Sequence, residues 1–429
     1  MVALSFEAGM AVRFFHTSDW HLGQFFYNHS RQYEHQQFLT WLIEQIKDKQ
    51  PHALLIAGDV FDVINPASSA QKQLYQFLAD AHSAAPHMQT LMIAGNHDSG
   101  YRLEQVEPLL EKYNAKTVGI VRWNTEHRLD FDRLILPIHN EYQEIVAWCI
   151  ALPFLRPAEI TGHGEATQDS QQAIEYIHQA LIKEALQRKT ADQALILMSH
   201  AHMQGADESK ESERPIIIGN HEALSTELFS PEIDYVALGH LHKPQKVQSP
   251  HVRYSGSPIP LSFSELNYKH QVLEVNIDPA LSENRLEMNP LYIPRTVQLH
   301  RLSGELDEVL TQLTLLPAGE ISDIDQRDYL DIEYYSLTPP PPDLRKKIED
   351  LLPPERYRLV RISRKYLQQS SSEVHASKID LAPPTPEQLF EQLWQKMGYS
   401  QDEQVKQDFM TLLQDAQQSE HKMKTADNT

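Results

Sequence analysis

Residues 53–62 read ALLIAGDVFD, and residues 91–98 read LMIAGNHD. Each starts as an unbroken apolar run, reaches Ala-Gly, and turns at once to carboxylate, amide or imidazole side chains. A short run without polar alternation predicts a strand buried on both faces. A glycine straight after it permits a tight turn and close approach of another backbone. The pattern recurs three times. Residues 12–16 run into Asp19-Trp20-His21, residues 194–198 into Ser199-His200, and residues 235–238 into Gly239-His240-Leu241-His242. Histidine supplies only 22 of 429 residues, so its repeated placement just after strands is not composition at work. Between the runs lie helical stretches such as 33–49, with Phe38, Leu42, Ile43 and Ile46 at helical spacing, and 68–82. Alternating strand and helix predicts a layered α/β fold of β-sheets flanked by helices. In such folds the loops at the carboxyl ends of strands converge on one edge, where ligands bind.

Seven residues are then candidates to meet: Asp19, His21, Asp59, Asn96, His200, His240 and His242. Imidazole, carboxylate and amide oxygen without thiolate suit Mn²⁺ or Fe²⁺, and less distinctively Mg²⁺ or Zn²⁺. Seven ligands exceed one closed site but suit two cations ~4 Å apart, the usual arrangement for phosphoester cleavage. A carboxylate can bridge two cations where a neutral imidazole cannot, and Asp59 in the central loop is the best placed. Each segment alone has a plainer reading: Asp-x-His as a turn or cap, Gly-Asp-x-x-Asp as a turn with an N-cap, Gly-His-x-His as a surface loop. Gly-Asn-His-Asp is harder to dismiss, because three adjacent polar side chains after an apolar strand have no packing purpose. Together, in this order, they predict a metal site.

These five segments resemble the hallmark blocks of the calcineurin-like metallophosphoesterase superfamily, over the first two-thirds of the chain. HTSDWHLG at 16–23, LPFLRP at 152–157 and above all YSGSPIPLSFSE at 254–265 are similar to the superfamily's SbcD-type nuclease subunits. The resemblance implies an Mn²⁺-dependent nuclease, exonuclease on double-stranded DNA and endonuclease, serving DNA repair and recombination. It implies that Asp19, His21, Asp59 and His242 hold one Mn²⁺, and Asp59, Asn96, His200 and His240 the other. His97 would be the catalytic histidine, with the carboxylate of Asp62 orienting it. Asp98 reads either as a site residue or as one that fixes the loop, and His202 as a loop residue. The implied partners are DNA and an SbcC-type ATPase with a coiled coil, in a heterotetramer containing a homodimer of this chain. No Gly-Lys dipeptide occurs, so there is no Walker A loop here; ATP dependence would reside in that partner.

Beyond residue 280 the pattern changes. Strand-like runs at 329–335 and 357–363 flank a helix at 342–352 bounded by prolines. This predicts a smaller α+β capping domain over 281–369, facing DNA, after a nuclease domain over 11–280. Residues 370–384 are polar and Pro-containing, a linker, and 385–418 a helical tail. The tail's stripes include Leu389, Leu393 and Trp394, then Phe409 and Leu412. Two short helices cannot bury such stripes alone, so they dock either on the ATPase partner or back on this chain. The cations Arg356, Arg358, Arg361, Arg364 and Lys365 read either as phosphate contacts of the capping domain or as a solvated surface.

The formal charge of −21 weighs against DNA binding through the chain's own surface. Either the substrate is a small phosphoester, or bound cations and a partner supply the attraction. A small-substrate phosphodiesterase is therefore the rival reading; it leaves residues 254–265, the second domain and the tail unexplained. Residues 1–11 do not read as a signal peptide. No apolar stretch suffices for a membrane span, and the lone Cys149, in an apolar run, reads as core. Cytoplasmic residence without membrane contact is the expectation.

Overall fold

The structure, a computed structural model, describes residues 11–124, 128–160, 170–209, 213, 223–336, 339–365, 390, 393–394 and 404–413. The chain divides into two units, residues 1–367 and 368–429.

In the first unit two six-stranded sheets lie face to face. The first runs Leu286–Tyr292, Gln271–Ile277, Val12–Thr17, Ala53–Ala57, Gln89–Ile93, Ala115–Val118. The second runs Gln245–Val247, Ser249–Tyr254, Tyr235–Gly239, Ala194–His200, Ile145–Leu152, Ile135–His139. Strand periodicity assigns the layers. Phe14, Leu55 and Leu91 share one core cluster with Ile196, Val236 and Cys149 of the second sheet. Phe15, Leu54 and Met92 pack the opposite way, against Phe38 and Leu42 of helix Gln32–Lys49 and Leu74 and Phe77 of helix Ser68–Ala84. Helix Ser170–Arg188 covers the second sheet with Ile174, Ile177 and Leu181. The result is a helix–sheet–sheet–helix sandwich, the layered fold that the strand pattern predicts. Because each central strand is covered on both faces, Leu42→Ala or Leu74→Ala would open a cavity costing about 2–5 kcal/mol.

Parallel registers align the strand ends that matter: Thr17 lies opposite Ile56, Ala57 opposite Ile93, and Gly239 opposite His200. Strand Leu286–Tyr292 pairs along the whole of Gln271–Ile277. The layered part thus runs past residue 280, where sequence alone put its end.

A separate three-stranded parallel sheet follows, Leu299–Glu305, Asp328–Tyr335, Tyr357–Lys365. Helices Leu306–Thr314 and Leu344–Leu351 cover one face with Val309, Leu313, Leu344 and Ile348. The first strand and the first helix escaped the sequence reading: LHRLSGE mixes polar and apolar residues without clean alternation. The other face seats Tyr329 and Leu299 on Phe26 and Phe263 of the layered part. Among the described residues no helix is long and apolar enough to cross a membrane.

In the second unit, residues 404–413 are helical, and Phe390 stacks on Phe409 with ring centroids 4.0 Å apart and meets Trp394 at 5.1 Å. The two apolar stripes therefore meet each other through aromatic faces. Leu393 and Leu412 are exposed. Leu389 and the linker 370–384 lie outside the described residues.

Candidate metal centre

The loops after the five predicted strands meet where the carboxyl ends of the two sheets abut. Backbone bonds zip them together: Asp19 N–H to Gly58 O at 3.0 Å, His21 N–H to Asp59 O at 3.0 Å, Phe154 N–H to Ala94 O at 2.9 Å. The approach is close enough to exclude side chains at two glycines. A Cβ on Gly95 would fall onto the Asp59 carboxylate, and one on Gly239 onto the carbonyl of Ala57. Four candidate ligands hold left-handed backbone, with φ of 54° at Asp19, 46° at His21, 49° at Asp59 and 107° at His240. Such conformations cost about 1–3 kcal/mol each. The surrounding hydrogen bonds hold them.

Asp59 is the hub. Its Oδ2 lies 3.5 Å from His21 Nε2 and 3.5 Å from His200 Nε2, and its Oδ1 accepts the His97 backbone N–H at 2.9 Å. Three overlapping groups gather here: Asp19, His21 and His242; His21, Asp59 and His97; Asp59, His200 and His240. Asn96 joins through Oδ1, 3.0 Å from His200 Nε2. All seven predicted ligands are thus brought to one edge, and all but Asn96 are buried.

The outward nitrogens of the rings fix their inward ones. His200 Nδ1 donates to Ala57 O at 2.9 Å, His242 Nδ1 lies 2.9 Å from Glu265 Oε1, and His21 Nδ1 lies 3.1 Å from Asp62 Oδ1. Each pairing leaves Nε2 facing the cluster, and His21 Nε2 is buried without a hydrogen-bond partner. Imidazole nitrogens and carboxylates converging around an orphaned buried nitrogen fit divalent metal ions. Electrostatics agree. Burial alone would lower His200 and His242, yet Asp59 beside the first and Glu265 beside the second push both pKa values up to about 9. Asp59, despite its burial, is held well below the carboxylate range by His200 and His21. The pocket favours added positive charge, which a dication would supply.

Two side chains depart from expectation. The carboxylate of Asp62 does not reach His97: it engages His21, and it is the backbone carbonyl of Asp62 that accepts His97 Nδ1–H at 2.8 Å. The chain turns at Asp62 so that its side chain and carbonyl serve different rings. Asp98 resolves as a loop clamp, accepting N–H bonds from Gly95 at 2.9 Å, Phe61 at 2.9 Å and Val60 at 3.0 Å. Burial, then the neighbouring Asp59, push its pKa up to about 6. His202 stays in its loop, 3.2 Å from Glu208.

Sequence reasoning missed Glu265 and Arg156, although it had singled out both segments that carry them. Arg156 Nη2 donates to Asp98 O at 2.7 Å and Gly95 O at 3.2 Å, bracketing the Asn96–His97 turn.

The basic run is not a set of free phosphate contacts. Arg356 donates to Asp328 at 2.8 Å, Arg361 to Asp331 at 2.7 and 2.9 Å, and Lys365 pairs with Glu333 at 2.7 Å. Arg358 is buried, its guanidinium 3.7 Å from the Tyr329 ring centroid. Parallel pairing sets these cations against an acidic strand, with Arg361 opposite Asp331 and Arg364 opposite Tyr334.

Residues 12–244 match the family model of calcineurin-like phosphoesterases, and with this site the chain belongs to that family, metal-dependent hydrolases of phosphoesters. Residues 295–398 match the type 5 capsule protein repressor C-terminal domain. Within the family the chain is similar to the SbcD component of nuclease SbcCD from Rhodobacter capsulatus, 37% identical over 313 residues, 71% of this chain and 76% of that protein. The corresponding Escherichia coli K12 protein is 35% identical over 311 residues (70% and 73%), and the Bacillus subtilis one 33% over 277 (62% and 67%).

Proposed function

We propose that this chain is the nuclease subunit of an SbcCD-type complex, hydrolysing phosphodiester bonds of DNA. One observation carries the reading: a single carboxylate oxygen, Asp59 Oδ2, stands 3.5 Å from imidazole nitrogens of two different loops, the placement a bridging ligand needs. Asp19, His21, Asp59 and His242 would hold one Mn²⁺, and Asp59, Asn96, His200 and His240 the other. Such a pair supplies Lewis-acid activation of water and of the phosphoryl oxygens.

The chain's own residues do the rest. His97, its Nδ1–H committed to the Asp62 carbonyl, keeps Nε2 for the substrate. Protonated there, it offsets charge on the phosphoryl group and gives its proton to the departing oxygen. Asp62 orients His21 by its side chain and His97 by its backbone. Asp98 and Arg156 hold the His97 turn from either side.

With a charge of −21, and with Arg356, Arg361 and Lys365 of the basic run paired to carboxylates, this chain offers little of its own to a polyanion. An SbcC-type coiled-coil ATPase supplies the cationic surface and the ATP dependence, gripped by the helical tail around residues 385–418. The three-stranded sheet that begins at Leu299 and its two helices cap the site, and the nuclease domain pairs as a homodimer in a heterotetramer. The test is Mn²⁺-dependent degradation of linear duplex DNA, with and without the ATPase and ATP, beside hydrolysis of bis-p-nitrophenyl phosphate. DNA cleavage that rises with the partner is expected. Hydrolysis of the small ester alone would replace this reading with a small-substrate phosphodiesterase.

A further inference from the structure

The stretch 254–265 ends in a carboxylate whose surroundings are those of a built device. Glu265 is completely buried. Its Oε1 lies 2.9 Å from His242 Nδ1, while Oε2 accepts the Leu261 N–H at 2.9 Å and the Ser257 hydroxyl at 3.3 Å. Both oxygens are thus spoken for, and the carboxylate cannot rotate without breaking several bonds. The loop itself is pinned at its centre: Arg31 Nη1 donates to Pro260 O at 2.8 Å. Arg31, fully buried, pairs with Glu34 and lies over the rings of Phe26 and Tyr329. A second acid acts on the same residue from the other side, Glu213 accepting the His242 backbone N–H at 2.6 Å. A buried carboxylate is costly unless it is paired and hydrogen-bonded, and here its charged partner is an imidazole of the metal edge.

We propose that Glu265 is the positioning residue for His242: it holds the proton on Nδ1, fixes the ring's rotamer, and presents Nε2 to the cation shared with Asp19 and His21. A carboxylate behind a ligating imidazole also strengthens the ring as a donor, and loss of such a partner commonly weakens metal binding 10–100-fold. The effect is one-sided, because His200, in the group of Asp59, His200 and His240, is oriented by a backbone carbonyl instead.

The inference rests on the two-cation reading, and one titration separates the two. The full chain is titrated calorimetrically with Mn²⁺, wild type beside Glu265→Gln and Glu265→Asp. Two binding steps are expected in the wild type; fewer than two would sink the two-cation reading itself. In Glu265→Gln one step weakens 10–100-fold while the other stays within about threefold. Glu265→Asp, which keeps the charge, recovers part of the loss. Equal steps in wild type and Glu265→Gln, or both steps falling together with stability, would overturn the role of Glu265 alone. Should the variants fail to fold, ¹⁵N-histidine spectra of the wild-type chain with Cd²⁺ decide. The signal assigned through its loss in His242→Gln keeps its Nδ1–H if the proposal holds, and loses it if Nδ1 is the ligand.

Discussion

The metal edge and the basic run at 356–365 were both visible as clusters of chemistry-bearing residues, and they came out differently. At the edge, seven side chains from five loops converge, and the rings of His21, His200 and His242 are each held by an outward hydrogen bond. In the basic run, four of the five cations point into partners on the next strand or beneath the sheet. At the carboxyl ends of the central strands the chain leaves the sheet ladder, and the side chains of Asp19, His21, Asp59, Asn96, His200, His240 and His242 turn toward one another. Side chains along the Tyr357–Lys365 strand are instead committed to neighbours the chain supplies elsewhere. Position in the fold, more than residue type, decides whether a polar cluster is a site.

The sharpest way to break this comparison is at its hub. Asp59→Asn is expected to lose both bound metals and bring cleavage to background, read by elemental analysis and by the duplex DNA assay. Retained metal with turnover would remove the bridging role. His97→Ala should keep both metals yet cut cleavage about 10²–10⁴-fold, the usual contribution of one acid–base group. Normal turnover at saturating Mn²⁺ would refute its assignment.

Beneath the edge, the layers bury rings that serve no ligand. Burial pushes His16 down to a pKa of about 3, and burial with Arg31 nearby does the same to His35. Unfolding returns both to about 6.5, so between pH 6.5 and 3 the unfolded chain binds more protons and stability must fall as pH falls. The slope from these two is up to about 1.4 kcal/mol per pH unit each, while above pH 6.5 they contribute none. Thermal unfolding from pH 7 to 5 checks this, and His16→Asn should remove the His16 share of the slope, up to about 1.4 kcal/mol per pH unit.

On the other side of the comparison, Arg361→Ala removes one of two guanidinium partners of the fully buried Asp331, Arg301 remaining at 2.8 Å. It should destabilise by about 1.5–3 kcal/mol and leave the salt dependence of DNA binding unchanged. A salt slope reduced by about 1 would instead make Arg361 a phosphate contact.

Much of this was legible beforehand. The runs 12–16, 53–57, 91–94, 194–198 and 235–238 announced central strands because sheets covered on both faces demand continuous apolarity. The Gly-polar steps after them announced the edge. Asp62 was legible as a site residue but not in its geometry, since a sequence cannot say whether a side chain or a carbonyl faces a given ring. Strand Leu299–Glu305 was hidden because its polar and apolar residues do not alternate cleanly, and the run looks like a loop.

The order of short-range events, strand then glycine then ligand, is local and was set by the sequence alone, because hydrophobic periodicity and backbone freedom act between neighbours. Which carboxylate stands behind which imidazole, and which cations are tied to acids, was settled only by tertiary structure. His242 and Glu265 are 23 positions apart and Asp331 and Arg361 are 30, and a hydrogen bond over such a separation exists only once packing has brought its two ends together.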